Sequence, residues 1–149
     1  MARLARIVIP GVAHHVTQRG NRRLPIFFSD DDRSTYLQLL FGAAAASGTR
    51  CLAWCLMDNH VHLILLPDTT DSLRAMLGEA HRRYTRMVNF REGWRGYLFQ
   101  GRFASYPMDD AHPMAAVREN ARRDLVPSEW ERRVGDASQR ANEEIRAFS

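Results

Sequence analysis

The chain has 149 residues, of which 45% are hydrophobic, enough for one domain with a closed core. No apolar run approaches the ~20 residues of a membrane span. The apolar segment within residues 1–10 is too short for a signal peptide, so we expect a cytoplasmic protein outside any membrane. The formal net charge is +4, and all 21 basic residues are arginines. A GC-rich genome explains the missing lysines, whereas the net excess of positive charge favours a nucleic-acid partner.

The first half of the chain predicts a strand, a helix and a hairpin. Apolar and polar side chains alternate over residues 11–19, as in a strand. Ser29 is a typical N-cap, three aspartates follow it, and Ser47-Gly48 ends the predicted helix of about 30–46. Two apolar runs within residues 51–66, separated by Asp58-Asn59, predict a β-hairpin.

The second half predicts two more helices and a strand between them. Asp71-Ser72 is expected to cap a helix of about 72–90, whose apolar residues recur at helical spacing. A strand or tight hairpin is predicted within 96–108, and Asp109-Asp110 opens a third helix. Residues from about 128 onward are charged and weakly periodic, with a short helix expected near 142–147.

This order of elements predicts an α+β fold, with helices packed on one face of a mostly antiparallel sheet. A ferredoxin-like core of this kind would leave the other face of the sheet available to a ligand. We assign residues 7–126 to this domain and residues 127–149 to a charged C-terminal extension, partly helical or flexible.

Two histidines stand out within the predicted hairpin. Residues i and i+2 of a strand share a face, so His60 and His62 are expected to point the same way and Val61 the opposite way. Two adjacent imidazoles on a rigid sheet are half of a divalent-metal site. The alternative is that each histidine is an ordinary, half-buried, hydrogen-bonded residue.

The two cysteines predict no further site. Cys51 and Cys55 have the spacing of neither a zinc knuckle nor a redox pair. Packing on the same face of one strand accounts for both, which also fits a reducing compartment.

Five segments, taken together and in order, closely resemble the single-tyrosine, HUH-type transposases of the insertion-sequence kind. Among these the REP-associated tyrosine transposases are the most similar. One HxH motif is weak, but five matched segments are specific, and the likeness spans about residues 7–126. The segments are His14 to Arg22, Ile26-Phe27-Phe28, Trp54 to Leu63, Arg82-Arg83-Tyr84, and Leu98 to Phe103.

The resemblance implies a homodimer with a ferredoxin-like fold that binds Mg²⁺ or Mn²⁺ through the histidine pair. It also implies that the protein binds a hairpin of single-stranded DNA, cleaves it through a 5′-phosphotyrosyl intermediate and joins a second end. The residues expected to contact DNA, which could otherwise form an ordinary solvated surface, are Gln18, Arg19, Asn21, Arg22, Arg23, Arg82, Arg83, Arg86 and Arg102.

The chain departs from the family where the catalytic helix is expected. Residues 115–126 contain no tyrosine: either residues are missing after Arg118, or Ala116 occupies the position of the nucleophile. Asn120 matches the polar residue that completes the family's metal site and is a candidate third ligand.

None of the four tyrosines is an obvious replacement for the missing nucleophile. Tyr36 and Tyr84 lie at apolar positions of predicted helices, where core packing is expected. The other two are Tyr97 and Tyr106. Tyr106 is on a predicted strand and not on the catalytic helix, and it is the least poor substitute.

Three functions therefore compete. The first is a transposase-type enzyme that cleaves and joins single-stranded DNA at REP-like hairpins. The second is a catalytically silent relative that binds such DNA by its structure. The third is a metal-dependent hydrolase of a small phosphoester, which explains neither the arginine excess nor the matched segments.

Overall fold

The computed structural model describes residues 6–108, which form one four-stranded sheet and two long helices. The order of strands in the sheet is β2 (Thr49–Leu56), β3 (His60–Pro67), β1 (His14–Arg19) and β4 (Ala104–Pro107), and every neighbouring pair is antiparallel. This βαββαβ arrangement is ferredoxin-like, so the predicted α+β class is confirmed. The elements in chain order are β1 (His14–Arg19), a 3-10 turn (Asn21–Arg23), α1 (Asp30–Ser47), β2 (Thr49–Leu56), β3 (His60–Pro67), α2 (Ser72–Glu92) and β4 (Ala104–Pro107).

Helix α1 begins and ends where the sequence predicted. The Ser29 hydroxyl accepts a hydrogen bond from the Asp32 backbone N–H at 3.2 Å, the arrangement of an N-cap. Gly48 adopts φ +65°, the left-handed conformation that ends many helices and favours glycine.

Helix α2 begins at the predicted place but without the predicted cap. Asp71 already has helical angles, φ −96° and ψ −9°, and its side chain makes no capping hydrogen bond. The carboxylate lies 3.4 Å from the guanidinium of Arg74 instead. The loop is held by Ser72, whose hydroxyl accepts from the Thr69 backbone N–H at 3.0 Å.

Both helices contribute to a core on one face of the sheet, which we call the helix face. Alternate residues of β1 and β3 point into this core and are fully buried. Buried side chains of α1 and α2 pack onto them, which removes apolar surface from water. The fully buried residues of this core include Val16, Val61, Leu63, Leu65, Tyr36, Leu40, Leu77 and Tyr84.

The prediction that Cys51 and Cys55 share a face is wrong. The pairing of β2 with β3 shifts register between Cys51 and Ala53, which marks a β-bulge. A bulge inserts an extra residue and so inverts the alternation beyond it. Cys51 therefore packs into the core, whereas Cys55 pairs with His62 on the other face.

The predicted strand within 96–108 is shorter than expected. Only Ala104–Pro107 forms β4, and residues 96–103 form a loop tied to the end of β1 by a bridge between Gly20 and Phe99. The third helix from Asp109, the helix at 142–147 and the extension 127–149 lie outside the described residues. Neither long helix of residues 6–108 has the length and apolar character needed to cross a membrane.

Candidate metal and nucleic-acid site

The histidine pair lies on the sheet face opposite the helices, which we call the histidine face. His60 and His62 are half-buried and alternate with Val61, which is fully buried in the core. Their ring centroids are 5.0 Å apart, at an interplanar angle of 76°. The two rings therefore lie side by side on one face, as the two-residue period of a strand requires.

A third histidine, on β1, joins this pair. Nε2 of His15 lies 3.0 Å from Nδ1 of His62. His15 pairs with Ile64 in the register of β1 against β3, so the two imidazoles meet diagonally across neighbouring strands. The sequence shows that His15 points away from Val16, but not which residue of β3 it faces.

The ring of His60 is also oriented by a hydrogen bond. Its Nδ1 lies 2.7 Å from Oδ1 of Asn59, whose amide nitrogen donates to the backbone carbonyl of Arg23 at 3.2 Å. Because Oδ1 accepts, Nδ1 of His60 carries a proton, so this ring can bind a metal ion only through Nε2. A histidine that binds a metal through one nitrogen commonly donates the other N–H in this way.

The histidine face favours neutral imidazoles. Burial, followed by the charges of His60, His15 and Arg19, lowers the pKa of His62 to about 4. Burial also lowers the pKa of His15. His62 is therefore neutral near pH 7, the form in which an imidazole binds metal.

Within residues 6–108, no cluster of three or more histidine, cysteine or carboxylate side chains has the arrangement of a complete metal site. The predicted third ligand, Asn120, lies outside the described residues, as does segment 115–126. The described part of the chain thus supplies His60 and His62 as the two candidate ligands, with His15 beside them on the same face of the sheet.

All four tyrosines of the chain lie within the described residues. Tyr36 and Tyr84 are fully buried in the core, as predicted. Tyr97 lies in the loop before β4 and is 88% exposed. Tyr106 is 62% exposed and pairs directly with His15 across β1 and β4, so its side chain is on the histidine face.

Arginines concentrate in a groove between α2 and the loop 96–103. The groove encloses about 620 Å³, and no aspartate or glutamate is among the described residues that line it. Burial, followed by the charges of Arg102 and Arg74, lowers the pKa of Arg6. We call this surface the arginine groove; its arginines are Arg6, Arg74, Arg82, Arg86 and Arg102.

The structure brings together three of the arginines predicted to bind DNA. Arg82, Arg86 and Arg102 line the groove, whereas Arg83 is not among the lining residues. Glu79 bonds to both Arg82 and Arg83, which reduces the charge that these two present. Sequence analysis missed Arg74, although residues 74, 78, 82 and 86 follow the i+4 spacing of one helix face.

The residues around the end of β1 that were predicted to contact DNA fall into two groups, one that holds a loop and one that is exposed. Gln18 is buried, and its amide nitrogen donates to the backbone carbonyls of Arg19 and Gln100 at 3.3 and 3.2 Å. The amide of Asn21 donates to the carbonyl of Tyr97 at 3.3 Å. Both side chains therefore hold the loop 96–103 against β1, and Gln18 also lines the groove.

Arg22 and Arg23 project from a strained turn. Their φ angles are +56° and +61°, in the left-handed region that costs a residue with a side chain roughly 1–2 kcal/mol. Both are exposed, and Arg19 is exposed at the end of β1. These three arginines present positive charge at the end of the sheet where His60 begins β3.

Comparisons with known proteins agree with this architecture. Among solved structures, the chain is similar to a REP-associated tyrosine transposase bound to a REP hairpin, with 18% identity and a TM-score of 0.62, covering 80% of this chain and 68% of that one. It is also similar to a protein from Deinococcus radiodurans assigned as a transposase, with 18% identity and a TM-score of 0.57, covering 82% and 97% of the two chains.

The sequence comparisons identify the family. Curated protein sequences gave no match to this chain. The profile of the family described as "Transposase IS200 like" matches residues 9–139, which is most of the chain and includes the histidine pair and every arginine of the groove except Arg6. The chain therefore belongs to the IS200-like transposase family.

Proposed function

We propose that this protein cleaves and joins single-stranded DNA at hairpins, using a divalent metal ion on the histidine face. The observation that carries the proposal is the pair of imidazoles on the sheet face opposite the helices, each oriented by a contact at its Nδ1. Membership of a transposase family supports DNA cleavage in general. A structurally similar protein that was solved with a REP hairpin supports the choice of a hairpin substrate.

The histidine face offers two imidazole ligands for a divalent metal ion, and the family resemblance implies that this ion is Mg²⁺ or Mn²⁺. Nδ1 of His60 is engaged by Asn59 and Nδ1 of His62 by His15, so Nε2 is the ligand atom in both rings. Two imidazoles leave positions for oxygen ligands, with Asn120 as the proposed third protein ligand. Bound there, the metal would act as a Lewis acid on a non-bridging phosphate oxygen.

The arginine groove is proposed to hold the DNA backbone. Arginine presents a planar fork of donors that matches phosphate oxygens, and the described lining contains no carboxylate. Tyr97 adds an exposed aromatic ring on which a base could stack. Arg19, Arg22 and Arg23 are proposed to contact the phosphates nearer the histidine face.

Tyr106 is the tyrosine we assign to the covalent step. Of the four tyrosines, it alone has both a position on the histidine face and an exposed side chain. Its phenol oxygen would attack phosphorus, and the bond from phosphorus to the 3′-oxygen would break. The electron pair of that bond and a proton would pass to the 3′-oxygen, giving a 3′-hydroxyl end and a 5′-phosphotyrosine.

A second candidate function is structure-specific DNA binding without catalysis. The absence of tyrosine from residues 115–126 favours it, because the family's nucleophile is expected there. The groove and the exposed arginines would bind DNA equally well without chemistry. As the family resemblance implies, we propose a homodimer in either case, which sedimentation of the purified chain would test.

One experiment separates these functions. The full-length chain is incubated with end-labelled hairpin DNA and Mn²⁺, and the products are resolved under denaturing conditions. A covalent protein–DNA adduct that is absent from Tyr106→Phe and present in Tyr97→Phe supports cleavage through Tyr106. Hairpin binding without an adduct supports the silent alternative, and absence of hairpin binding contradicts both.

A further inference from the structure

The contact between His15 and His62 has a geometry that defines its chemistry. The two rings are 15° from parallel, with centroids 5.3 Å apart and nitrogens 3.0 Å apart. The centroid distance exceeds the nitrogen distance by about the width of one ring. The imidazoles therefore lie edge to edge in nearly one plane, with Nε2 of His15 and Nδ1 of His62 pointing at each other.

This arrangement excludes a metal ion shared between those two nitrogens. Two ligands of one ion direct their lone pairs at a common third point, whereas these two nitrogens face each other directly. The distance and alignment are those of an N–H···N hydrogen bond. One nitrogen carries the proton and the other accepts it.

The direction of that hydrogen bond follows from the other contacts of the site. Nδ1 of His62 faces His15 and has no room for a metal, so His62 binds a metal only through Nε2. A ligating Nε2 has an unprotonated lone pair, and the proton of the neutral ring is then on Nδ1. His15 must accept that proton on Nε2 and carry its own on Nδ1.

We propose that His15 is a positioning residue that fixes His62 in the Nδ1–H tautomer, with Nε2 presented to the metal. This inference rests on the proposed metal-dependent function. His15 acts on His62 as Asn59 acts on His60, whose Nδ1 lies 2.7 Å from an amide oxygen. Two strands thus prepare one ligand pair, since Asn59 precedes β3 and His15 belongs to β1.

The test uses three variants of the full-length chain. His15→Phe keeps a planar ring but removes the acceptor. His15→Gln restores an acceptor, because the side-chain amide oxygen can take the proton of Nδ1. Thr17→Val is the matched control, since Thr17 is the direct β1 partner of His62 and valine preserves its shape.

Two measurements follow on each variant. Mn²⁺ affinity is measured by electron paramagnetic resonance, and the His62 tautomer in the metal-free chain by ¹⁵N–¹H NMR. We expect His15→Phe to weaken Mn²⁺ binding about 10- to 100-fold and to give a mixture of His62 tautomers. His15→Gln and Thr17→Val should bind Mn²⁺ much as the wild type does, with the His62 proton on Nδ1.

The outcomes separate the positioning role of His15 from the proposed metal binding on which it rests. If the wild type binds Mn²⁺ but His62 carries its proton on Nε2, or if His15→Phe binds Mn²⁺ as tightly as Thr17→Val, the positioning role is wrong and the metal site stands. If the wild type binds no Mn²⁺, the proposed metal function fails and the positioning role fails with it.

Discussion

The two faces of the sheet are made by the same strands and differ in what they do. On the helix face, Val61, Leu63 and Leu65 of β3 are fully buried beneath α1 and α2. On the histidine face, His60 and His62 of the same strand are half-buried and hydrogen-bonded to neighbouring polar groups. One strand thus supplies stability through one set of residues and a candidate site through the alternate set.

The candidate site therefore lies on a rigid support. A ligand pair on a strand whose other face is packed into the core has little freedom to move, which favours a preformed metal site. Substitutions on the two faces should therefore have separable effects on stability and on function.

Substitutions at two adjacent residues of β3 should show the largest difference in the free energy of unfolding. Leu63→Ala removes a fully buried side chain from the core and should lower the free energy of unfolding by about 2–5 kcal/mol. His62→Ala alters the half-buried histidine face and should change it by no more than about 1 kcal/mol. Urea denaturation of both variants measures this, and equal losses would contradict the division of the sheet into two faces.

Replacing one tyrosine on each face by phenylalanine should change stability by different amounts, although the difference is smaller than that between Leu63→Ala and His62→Ala. The Tyr84 hydroxyl donates to the buried carbonyl of Ile26 at 2.6 Å. Tyr84→Phe leaves that carbonyl unsatisfied and should cost about 1–3 kcal/mol of stability. Tyr106→Phe removes an exposed hydroxyl and should leave the melting temperature unchanged; a comparable drop in both variants would show that Tyr106 has a structural role.

The pH dependence of stability should reveal a partly buried histidine, His81 of α2, on the helix side of the molecule. His81 lies 2.8 Å from the Tyr36 hydroxyl and stacks on Phe99, and burial lowers its pKa to about 3. In the unfolded chain this histidine is protonated near its ordinary pKa of about 6.5. The stability that His81 contributes is therefore fully present above that pH and is lost as the pH falls towards 3.

Replacing His81 should therefore flatten the stability profile on the acid side. The wild type should lose up to about 1.4 kcal/mol per pH unit more than His81→Gln between these two pKa values. Denaturant midpoints measured from pH 7 to pH 4 test this. Parallel profiles for the two proteins would mean that His81 is not held neutral by the fold.

A substitution in the arginine groove should give the smallest effect, a change in how the affinity for hairpin DNA depends on salt concentration. Arg86→Ala removes one proposed phosphate contact and should reduce the slope of log affinity against log salt by about 0.7–0.9. Arg50→Ala, on strand β2 and outside the groove, is the matched control. Equal slopes for the two variants in hairpin-binding titrations would exclude the groove as the DNA-binding surface.

Local patterns in the sequence predicted the features that depend on neighbouring residues. The alternation of β3 predicted that His60 and His62 share a face, and the Ser29 cap predicted the start of α1. Helical spacing predicted that Tyr36 and Tyr84 belong to the core. Each of these depends on backbone geometry within a few residues.

The features that the sequence did not predict depend on register between distant segments. The contact of His15 with His62 joins positions 47 residues apart and requires the β1–β3 register. The bulge in β2 that separates Cys51 from Cys55 has no turn residue to mark it. Arg6 lies at the groove with its guanidinium carbon 3.7 Å from the ring centroid of Phe103, a residue 97 positions away in the loop before β4.

Mn²⁺ binding to the histidine face is the most direct test of this account. Electron paramagnetic resonance titration of the full-length wild type should show one tightly bound ion per chain, and both His60→Ala and His62→Ala should weaken it beyond the ~100-fold expected from a lost supporting contact. Undiminished Mn²⁺ binding by these two variants would contradict the assignment of the metal to the histidine face.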